Sequence, residues 1–205
     1  MALQNRVNPF GHIVASAARG SLMGNRGILH DENKNILKTH AHQNWVACAL
    51  SFNGNKRTLM APHSYTELFF LDEATALAAG HRPCATCRHE CYRVFTQIWR
   101  QVHGEPPKGA SLRMAIDRAL HVARIQRGQK VIFEAEFAEL PDGAMISMDG
   151  DSFLKWNGAG HRWSFDGYGQ IPAPISGSVS VLTPKPIIAL LHAGYRPEIH
   201  SSLPG

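Results

Sequence analysis

The last third of the chain alternates short apolar runs with pairs of turn-forming residues. Asp149-Gly150 and Asn157-Gly158 are two-residue turns of the kind that join neighbouring antiparallel strands. Short runs rich in aromatic and β-branched residues that end at such turns predict a β-meander, which we expect to be followed by one more strand and a helix. The predicted strands are 131–137, 144–148, 152–156, 161–165 and 178–182, and the predicted helix is 186–193.

Apolar residues in the middle of the chain recur at helical spacing. From Cys84 to Val102 they are three or four residues apart, which predicts one face of a helix that begins at or within the cysteine pair Cys84 and Cys87. A linker at 104–109 separates this helix from a second one, which Ser111 caps and which runs to Gly128. We expect the outer face of the second helix to carry Arg113, Asp117, His121 and Arg124.

The first third reads as short strands around a loop rich in glycine and arginine, 19–30. Residues 45–52 alternate, so that Val46, Cys48, Leu50 and Phe52 share one face of a strand and Cys48 points to the apolar side. Asn53-Gly54 predicts a hairpin turn into a strand over 56–60. The other predicted elements are strands at 11–15 and 65–71 and a helix at 73–79, capped by Asp72 and ended by Gly80.

These elements predict an α+β protein with N-terminal strands and a short helix, two central helices and a C-terminal β-meander. We expect a region 1–104 and a region 105–205 that pack as one globular unit. With 205 residues, 44% of them hydrophobic and 18% charged, the chain has the composition of a folded protein. It contains no apolar run long enough for a membrane helix and no secretory signal near its start, so we expect a cytoplasmic protein without a membrane partner.

Positive charge is concentrated in the middle of the chain. The net formal charge is +5 overall, but residues 82–130 alone hold ten basic and three acidic residues. Most of the basic residues there are arginines, whose planar guanidinium groups suit phosphate. The segment therefore predicts either a footprint for nucleic acid or two helices with ordinary solvated faces, because charge alone does not identify a partner.

The four cysteines point to a metal site. Cys84 and Cys87 form a Cys-x-x-Cys pair after a tight turn, an arrangement in which two thiolates can meet one Zn²⁺ at about 2.3 Å. A redox pair and a pair of buried apolar side chains are the alternatives. No thioredoxin-like pattern precedes the pair, so we predict a metal, and zinc is the expected cofactor.

Residues 73–88, from Glu73 through the helix and the Gly80-His81-Arg82-Pro83 turn to Cys84, Cys87 and Arg88, resemble the second half of the zinc-binding domain of the Ada family. Proteins of that family repair DNA by taking methyl groups from phosphotriesters. The resemblance covers about twenty residues and includes the preceding aromatic pair Phe69-Phe70. The rest of the chain resembles a bacterial family that shares this cysteine segment, from which no activity is carried over.

The resemblance implies one or two further ligands ahead of the helix. Only Cys48 lies there, with no cysteine four residues later, so Cys48 is the predicted third ligand and the fourth must differ from the Ada pattern. His30, at the end of the glycine-rich loop, is the preferred candidate for the fourth position; Cys91 and His63 remain alternatives.

We therefore predict a zinc-binding protein that binds DNA or another nucleic acid through a basic helical region, with Arg88, Arg93 and Arg100 as contacts. One alternative is a metal-dependent nuclease built on His40 and His42. Others are an Ada-like alkyl acceptor at Cys48 and a zinc module for a protein partner. Motifs of P-loop proteins, serine hydrolases, zinc proteases and Rossmann folds are absent from the sequence.

Overall fold

The computed structural model describes residues 2–52, 54, 58–169 and 173–203. Within these residues the protein has the predicted α+β class, with four α-helices and three sheets. The strands are N-terminal, two long helices are central and an antiparallel sheet follows them. Among the described residues no helix is both long and apolar enough to cross a membrane.

The N-terminal sheet is mixed and has the order β2-β1-β5-β3-β4-β6. Two pairs, β1 with β5 and β4 with β6, are parallel, and the other pairs are antiparallel. The strands are β1 (Gln4–Val7), β2 (Ile13–Ala15), β3 (Leu22–Asn25), β4 (Val46–Ala49), β5 (Leu68–Phe70) and β6 (Arg82–Pro83).

Two parts of this sheet differ from the sequence-based expectations. Strand β3 lies inside the segment predicted to be a loop. Its backbone N–H and C=O groups are paired with those of β4 on one side and β5 on the other, although the strand ends in Gly24-Asn25. The strand predicted at 56–60 is not observed at 58–60, and its first two residues, like Asn53 of the predicted turn, lie outside the described residues.

Strand β4 buries the opposite face from the one predicted. Ala47 is 1% exposed and Trp45, just ahead of the strand, is 2% exposed, whereas Leu50 and Phe52 are about half exposed. Cys48 therefore lies on the side of the strand that faces away from the core. The apolar alternation misled the prediction because both faces of 45–52 carry apolar residues.

The C-terminal sheet contains the predicted meander. Its order is β13-β12-β11-β10-β14-β9, with consecutive antiparallel hairpins from β10 to β13. The first predicted strand does not begin the meander, because β14 lies between β9 and β10. The strands are β9 (Phe133–Glu136), β10 (Met145–Met148), β11 (Asp151–Trp156), β12 (Ala159–Ser164), β13 (Gly167–Tyr168) and β14 (Ser178–Val181), and a short 3-10 helix spans Phe137–Glu139.

The four helices are α1 (Glu73–Ala78), α2 (His89–His103), α3 (Leu112–Arg124) and α4 (Lys185–His192). Helix α2 begins two residues after Cys87, so the cysteine pair lies in the turn ahead of the helix and not on its apolar face. Helix α3 ends at Arg124, before the predicted end at Gly128. The residues that follow form a small hairpin of β7 (Ile125–Gln126) and β8 (Gln129–Lys130). Arg127 and Gly128 make its two-residue turn with positive φ.

Helix α1 lies at the centre of the molecule and all six of its residues are buried. Its Leu77 packs with α2, α3 and α4, while Ala76 packs with the N-terminal sheet and Ala74 packs with the C-terminal sheet. The small side chains of α1 allow these close approaches on every side. The turn that follows α1 is therefore held where the three apolar clusters meet.

Candidate metal centre

The pairing of β4 with β6 brings Cys48 to Cys84. These two strands run parallel, with Val46 opposite Arg82 and Ala47 opposite Pro83. The next residue of each strand is a cysteine, and the amide of Cys84 still donates to the carbonyl of Ala47 at 2.9 Å. Two cysteines 36 positions apart thus become neighbours through strand register alone.

Cys87 completes a group of three sulfur atoms. The turn between β6 and α2 carries Cys87 back over the end of β4, where the amide of Ala49 donates a hydrogen bond to its Sγ at 3.4 Å. The amide of Thr86 donates to the Sγ of Cys84, also at 3.4 Å. The three Sγ atoms of Cys48, Cys84 and Cys87 lie within 4.8 Å of one another. Such a group can hold a metal ion.

The pKa values of the three thiols are shifted in different directions. A hydrogen bond from Cys48, together with the nearby amides of Cys87 and Thr86, holds the pKa of Cys84 well below the usual thiol range. The same hydrogen bond, with burial, raises the pKa of Cys48, and burial raises that of Cys87. A cation among them would displace the remaining protons, because thiolates are the form that binds metals.

Buried ion pairs hold the turn at both ends. Ahead of the cysteines, Arg82 donates from Nε and Nη2 to the two carboxylate oxygens of Asp117 on α3, at 2.7 and 2.9 Å. After them, Arg88 donates to both carboxylate oxygens of Glu73 on α1 and to Glu198 near the end of the chain. Bidentate pairs of this kind fix the relative orientation of the two side chains as well as balancing their charges. The cysteine turn is therefore held in place by buried residues.

A cavity of about 770 Å³ opens beside the sulfur group. Cys48 and Cys87 line it, together with Phe52, Tyr65 and Glu67. Phe52 stands four residues after Cys48 and is 44% exposed. The group of three sulfur atoms therefore adjoins open space on one side.

The candidates for a fourth ligand are not brought to the group. His30 is buried elsewhere, with its Nδ1 2.6 Å from Thr66 Oγ1 and its Nε2 3.3 Å from the carbonyl oxygen of Ala61. Cys91 contacts Arg88 and Glu198 on the far side of that ion pair. His63 is exposed and lines a separate cavity. Each side chain has its own place in the fold, and none of them joins the three sulfur atoms.

Of the three arginines predicted to contact nucleic acid, one is buried and two are exposed. Arg88 is only 7% exposed and its guanidinium is occupied by two carboxylates, so the expectation that it lies on a phosphate-binding surface is wrong. Arg93 and Arg100 are exposed and pair with Glu90 and Glu105. Their helix does present them to solvent, as predicted.

The wider basic segment is divided in the same way. Arg82 is also buried, and so are Asp117 and Arg124, which had both been expected on the outer face of α3. These groups support the interior of the protein. The exposed basic residues of the segment are Arg93, Arg100, Lys108, Arg113, Arg118 and Arg127.

The two histidines considered for a nuclease do not form a metal site. Across the described ranges, the three cysteines are the one group of three or more histidine, cysteine or acidic side chains whose ligand atoms are close enough to share an ion. The ring of His40 instead packs at a tilt against Trp45 and edge-on against His121. The carboxylate of Asp31 is bonded to Asn35.

Sequence reasoning missed the carboxylates that support the site, Glu73 and Asp117. Glu73 is almost fully buried and accepts further hydrogen bonds from Tyr195 and from the amide of Glu198. The available signal was the arginine on each side of the cysteine pair, since a buried arginine needs a partner.

Comparisons with protein-family models, with curated proteins and with solved structures find no match to this chain.

Proposed function

We propose that this chain is a zinc protein whose ion is held by Cys48, Cys84 and Cys87. The observation that carries the proposal is the convergence of three sulfur atoms within 4.8 Å of one another, one from strand β4 and two from the turn after β6. A tetrahedral ion about 2.3 Å from each sulfur would set the sulfurs about 3.8 Å apart, which is compatible with that limit.

The donor set favours zinc over harder cations. Three thiolates suit zinc, whereas Ca²⁺ and Mg²⁺ take oxygen ligands. Structural zinc sites are closed by four protein ligands, and sites with three protein ligands keep one position for water or substrate. Phe52 stands where the Ada pattern would place the fourth sulfur, and the adjoining cavity gives room for an external ligand.

Elemental analysis of the protein purified without added metal tests the proposal. We expect about one zinc per chain and its loss in Cys87→Ser. Cys91→Ser is the matched control, since Cys91 lies one helical turn further along and outside the group. Equal zinc in all three proteins, or none in the wild type, would refute the proposal.

Nucleic-acid binding is a second candidate, favoured by the exposed basic side chains of α2, α3 and the loop between them. Arg93, Arg100, Lys108, Arg113 and Arg118 all reach solvent there, against the exposed acids Glu90 and Glu105. This surface, which we call the α2–α3 basic face, would bind phosphates without contributing base readout.

The test of the α2–α3 basic face is the salt dependence of duplex DNA binding. Neutralising phosphates releases counterions, so the affinity should fall steeply with salt, and Arg93→Gln with Arg100→Gln should flatten the slope. Arg127→Gln, exposed but beyond α3, serves as the control. If the protein holds zinc but does not bind DNA, the remaining candidate is a zinc module for a protein partner.

Alkyl transfer to the site is a third candidate with one observation in its favour. Cys48 lies on the cavity side of β4 and not in the core, so its sulfur can be reached. Incubation with DNA carrying methylphosphotriesters, followed by mass analysis of the peptides, should then find one methyl group on Cys48. Methylation spread over all cysteines, or none, would remove this candidate.

A further inference from the structure

A second cavity, of about 450 Å³, is lined by three cationic side chains: Arg26 and Arg124, which are buried, and Lys130, which is partly buried. They come from the end of β3, the end of α3 and strand β8, which are far apart in the sequence. We call this cavity, with these three residues, the cationic cavity. It shares no lining residue with the cavity beside the cysteines.

Arg26 is 1% exposed, and only some of its N–H groups have hydrogen-bond partners. Its Nε donates to His81 Nε2 at 3.3 Å, and its Nη1 donates to the carbonyl of Gly11 at 3.0 Å. Its Nη2 is buried and has no hydrogen-bond partner. Gly11, which also lines the cavity, is the residue beside that Nη2: an added Cβ there would lie 3.8 Å from it.

Arg124 is held in place by backbone carbonyls. Its Nη1 donates to Gly80 at 2.8 Å and its Nη2 donates to Gln43 at 2.5 Å, while its Nε has no partner. The guanidinium carbons of Arg124 and Arg26 lie 3.9 and 4.1 Å from the centre of the Trp45 ring. Trp45 therefore organises both groups without neutralising either.

Lys130 adds a third positive group. Its ammonium donates to the carbonyl of Ala78 at 2.6 Å, the one hydrogen bond it makes within the described part of the chain, although it has three protons to donate. Burial, with the nearby charges of Arg26 and Arg124, lowers the pKa of Lys130 to about 7. Burial also lowers the pKa of both arginines.

Among the residues that the structure describes, none that lines the cationic cavity is acidic. Asp117, whose charge acts on Arg124, is already bonded through both oxygens to Arg82. Burying charges without a counterion is costly, and folded proteins do so rarely unless the charges are paired or used. An anion supplied from outside would provide the missing partner.

We propose that the cationic cavity binds a small ligand through its phosphate group. Guanidinium groups present paired N–H donors that match phosphate oxygens, and lysine adds a point charge. The volume is within the range of pockets for small organic ligands, and Phe10 and Ile132 give the cavity apolar walls. Free phosphate and a phosphomonoester with an aromatic or apolar group share this chemistry.

Isothermal titration of the full-length protein with inorganic phosphate and with phenyl phosphate tests the proposal, using sodium chloride at matched ionic strength as reference. We expect one saturable site per chain. Tenfold tighter binding of phenyl phosphate would identify a monoester as the ligand class, and equal or weaker binding would identify free phosphate. No saturable heat with either probe would overturn the proposal.

Lys130→Met links the binding to this cavity. The variant removes the ammonium and keeps an apolar stem, so we expect at least a tenfold loss of phosphate affinity with an unfolding temperature at or above that of the wild type. Arg162→Met, at an exposed arginine on β12 that lies outside both the cationic cavity and the α2–α3 basic face, should bind phosphate as the wild type does. Unchanged affinity in Lys130→Met would overturn the assignment. Cys87→Ser should retain phosphate binding, which separates this site from the metal centre.

Discussion

Arg88 donates hydrogen bonds to both carboxylate oxygens of Glu73, at 3.0 and 3.1 Å, across the junction between the cysteine turn and helix α1. The side chains of both residues are at most 5% exposed. The pair therefore connects the metal centre to the most buried helix of the protein. An arginine placed next to Cys87 serves here as a structural support.

Removing Glu73 should destabilise the fold strongly. Glu73→Ala leaves the buried guanidinium of Arg88 with only the partly exposed Glu198, and breaking a buried pair in this way costs about 3 kcal/mol or more. Urea denaturation followed by circular dichroism measures the loss. Glu105→Ala, which breaks the exposed pair with Arg100, should cost less than about 1 kcal/mol. Equal losses in the two variants would contradict the support role.

Gly80 should tolerate no side chain. It has a φ of +86°, and a Cβ there would lie 2.4 Å from Cδ of Arg124. Gly80→Ala should therefore cost more than the roughly 1 kcal/mol of backbone strain alone. Gly194→Ala is the matched control, because Gly194 ends α4 as Gly80 ends α1, with a φ of +97° and nothing within 4 Å of its Cβ position. If thermal unfolding shows the same loss in both variants, the contact with Arg124 is not tight.

The stability of the protein should rise with pH between about 7 and 10 through Lys130. Its folded pKa of about 7 lies below the ordinary lysine value of 10.5, so in this window the unfolded chain binds more protons than the folded one. The expected slope is up to about 1.4 kcal/mol per pH unit. The groups whose charges act on this ammonium are Arg26 and Arg124, which stay charged through most of the range.

Comparison with Lys130→Met isolates that slope. Urea unfolding at several pH values should show a steeper rise in the wild type than in the variant, because all other titrating groups are common to both. Parallel pH profiles would mean that Lys130 is not protonated differently in the folded and unfolded chain.

Metal removal should loosen the turn between β6 and α2. In the proposed site the ion joins β4 to this turn, so a chelator should speed amide hydrogen exchange over 84–88. Helix α4, which packs in another part of the core, should change little. Hydrogen exchange followed by mass spectrometry resolves the two segments. Uniform acceleration along the chain would instead show that the ion supports the whole fold.

Much of the architecture could be predicted from local patterns. The two-residue turns at Asp149-Gly150 and Asn157-Gly158 determine neighbouring hairpins, so the meander follows from short-range information. Strand β14 could not be placed this way, since its insertion between β9 and β10 is a long-range pairing. Strand β3 was hidden by glycines that are normally typical of loops.

The candidate site was predictable in its cysteines and not in its surroundings. The spacing of Cys84 and Cys87, with the Ada resemblance, indicated the three cysteines whose sulfur atoms the structure brings together. The burial of Arg82, Arg88 and Arg124 was not predictable, because each depends on a carboxylate or carbonyl partner at least fifteen residues away in the chain. Charge counts cannot distinguish an arginine in the core from one on the surface.

X-ray absorption spectroscopy at the zinc edge tests the central claim most directly, because it counts the sulfur neighbours of the bound ion. We predict three sulfur atoms at about 2.3 Å and one lighter atom at about 2.0 Å in the wild type, and a sulfur count of two in Cys48→Ser reconstituted with added zinc. Four sulfur neighbours, or a sulfur count unchanged in that variant, would contradict the assignment of Cys48, Cys84 and Cys87 as the complete set of protein ligands.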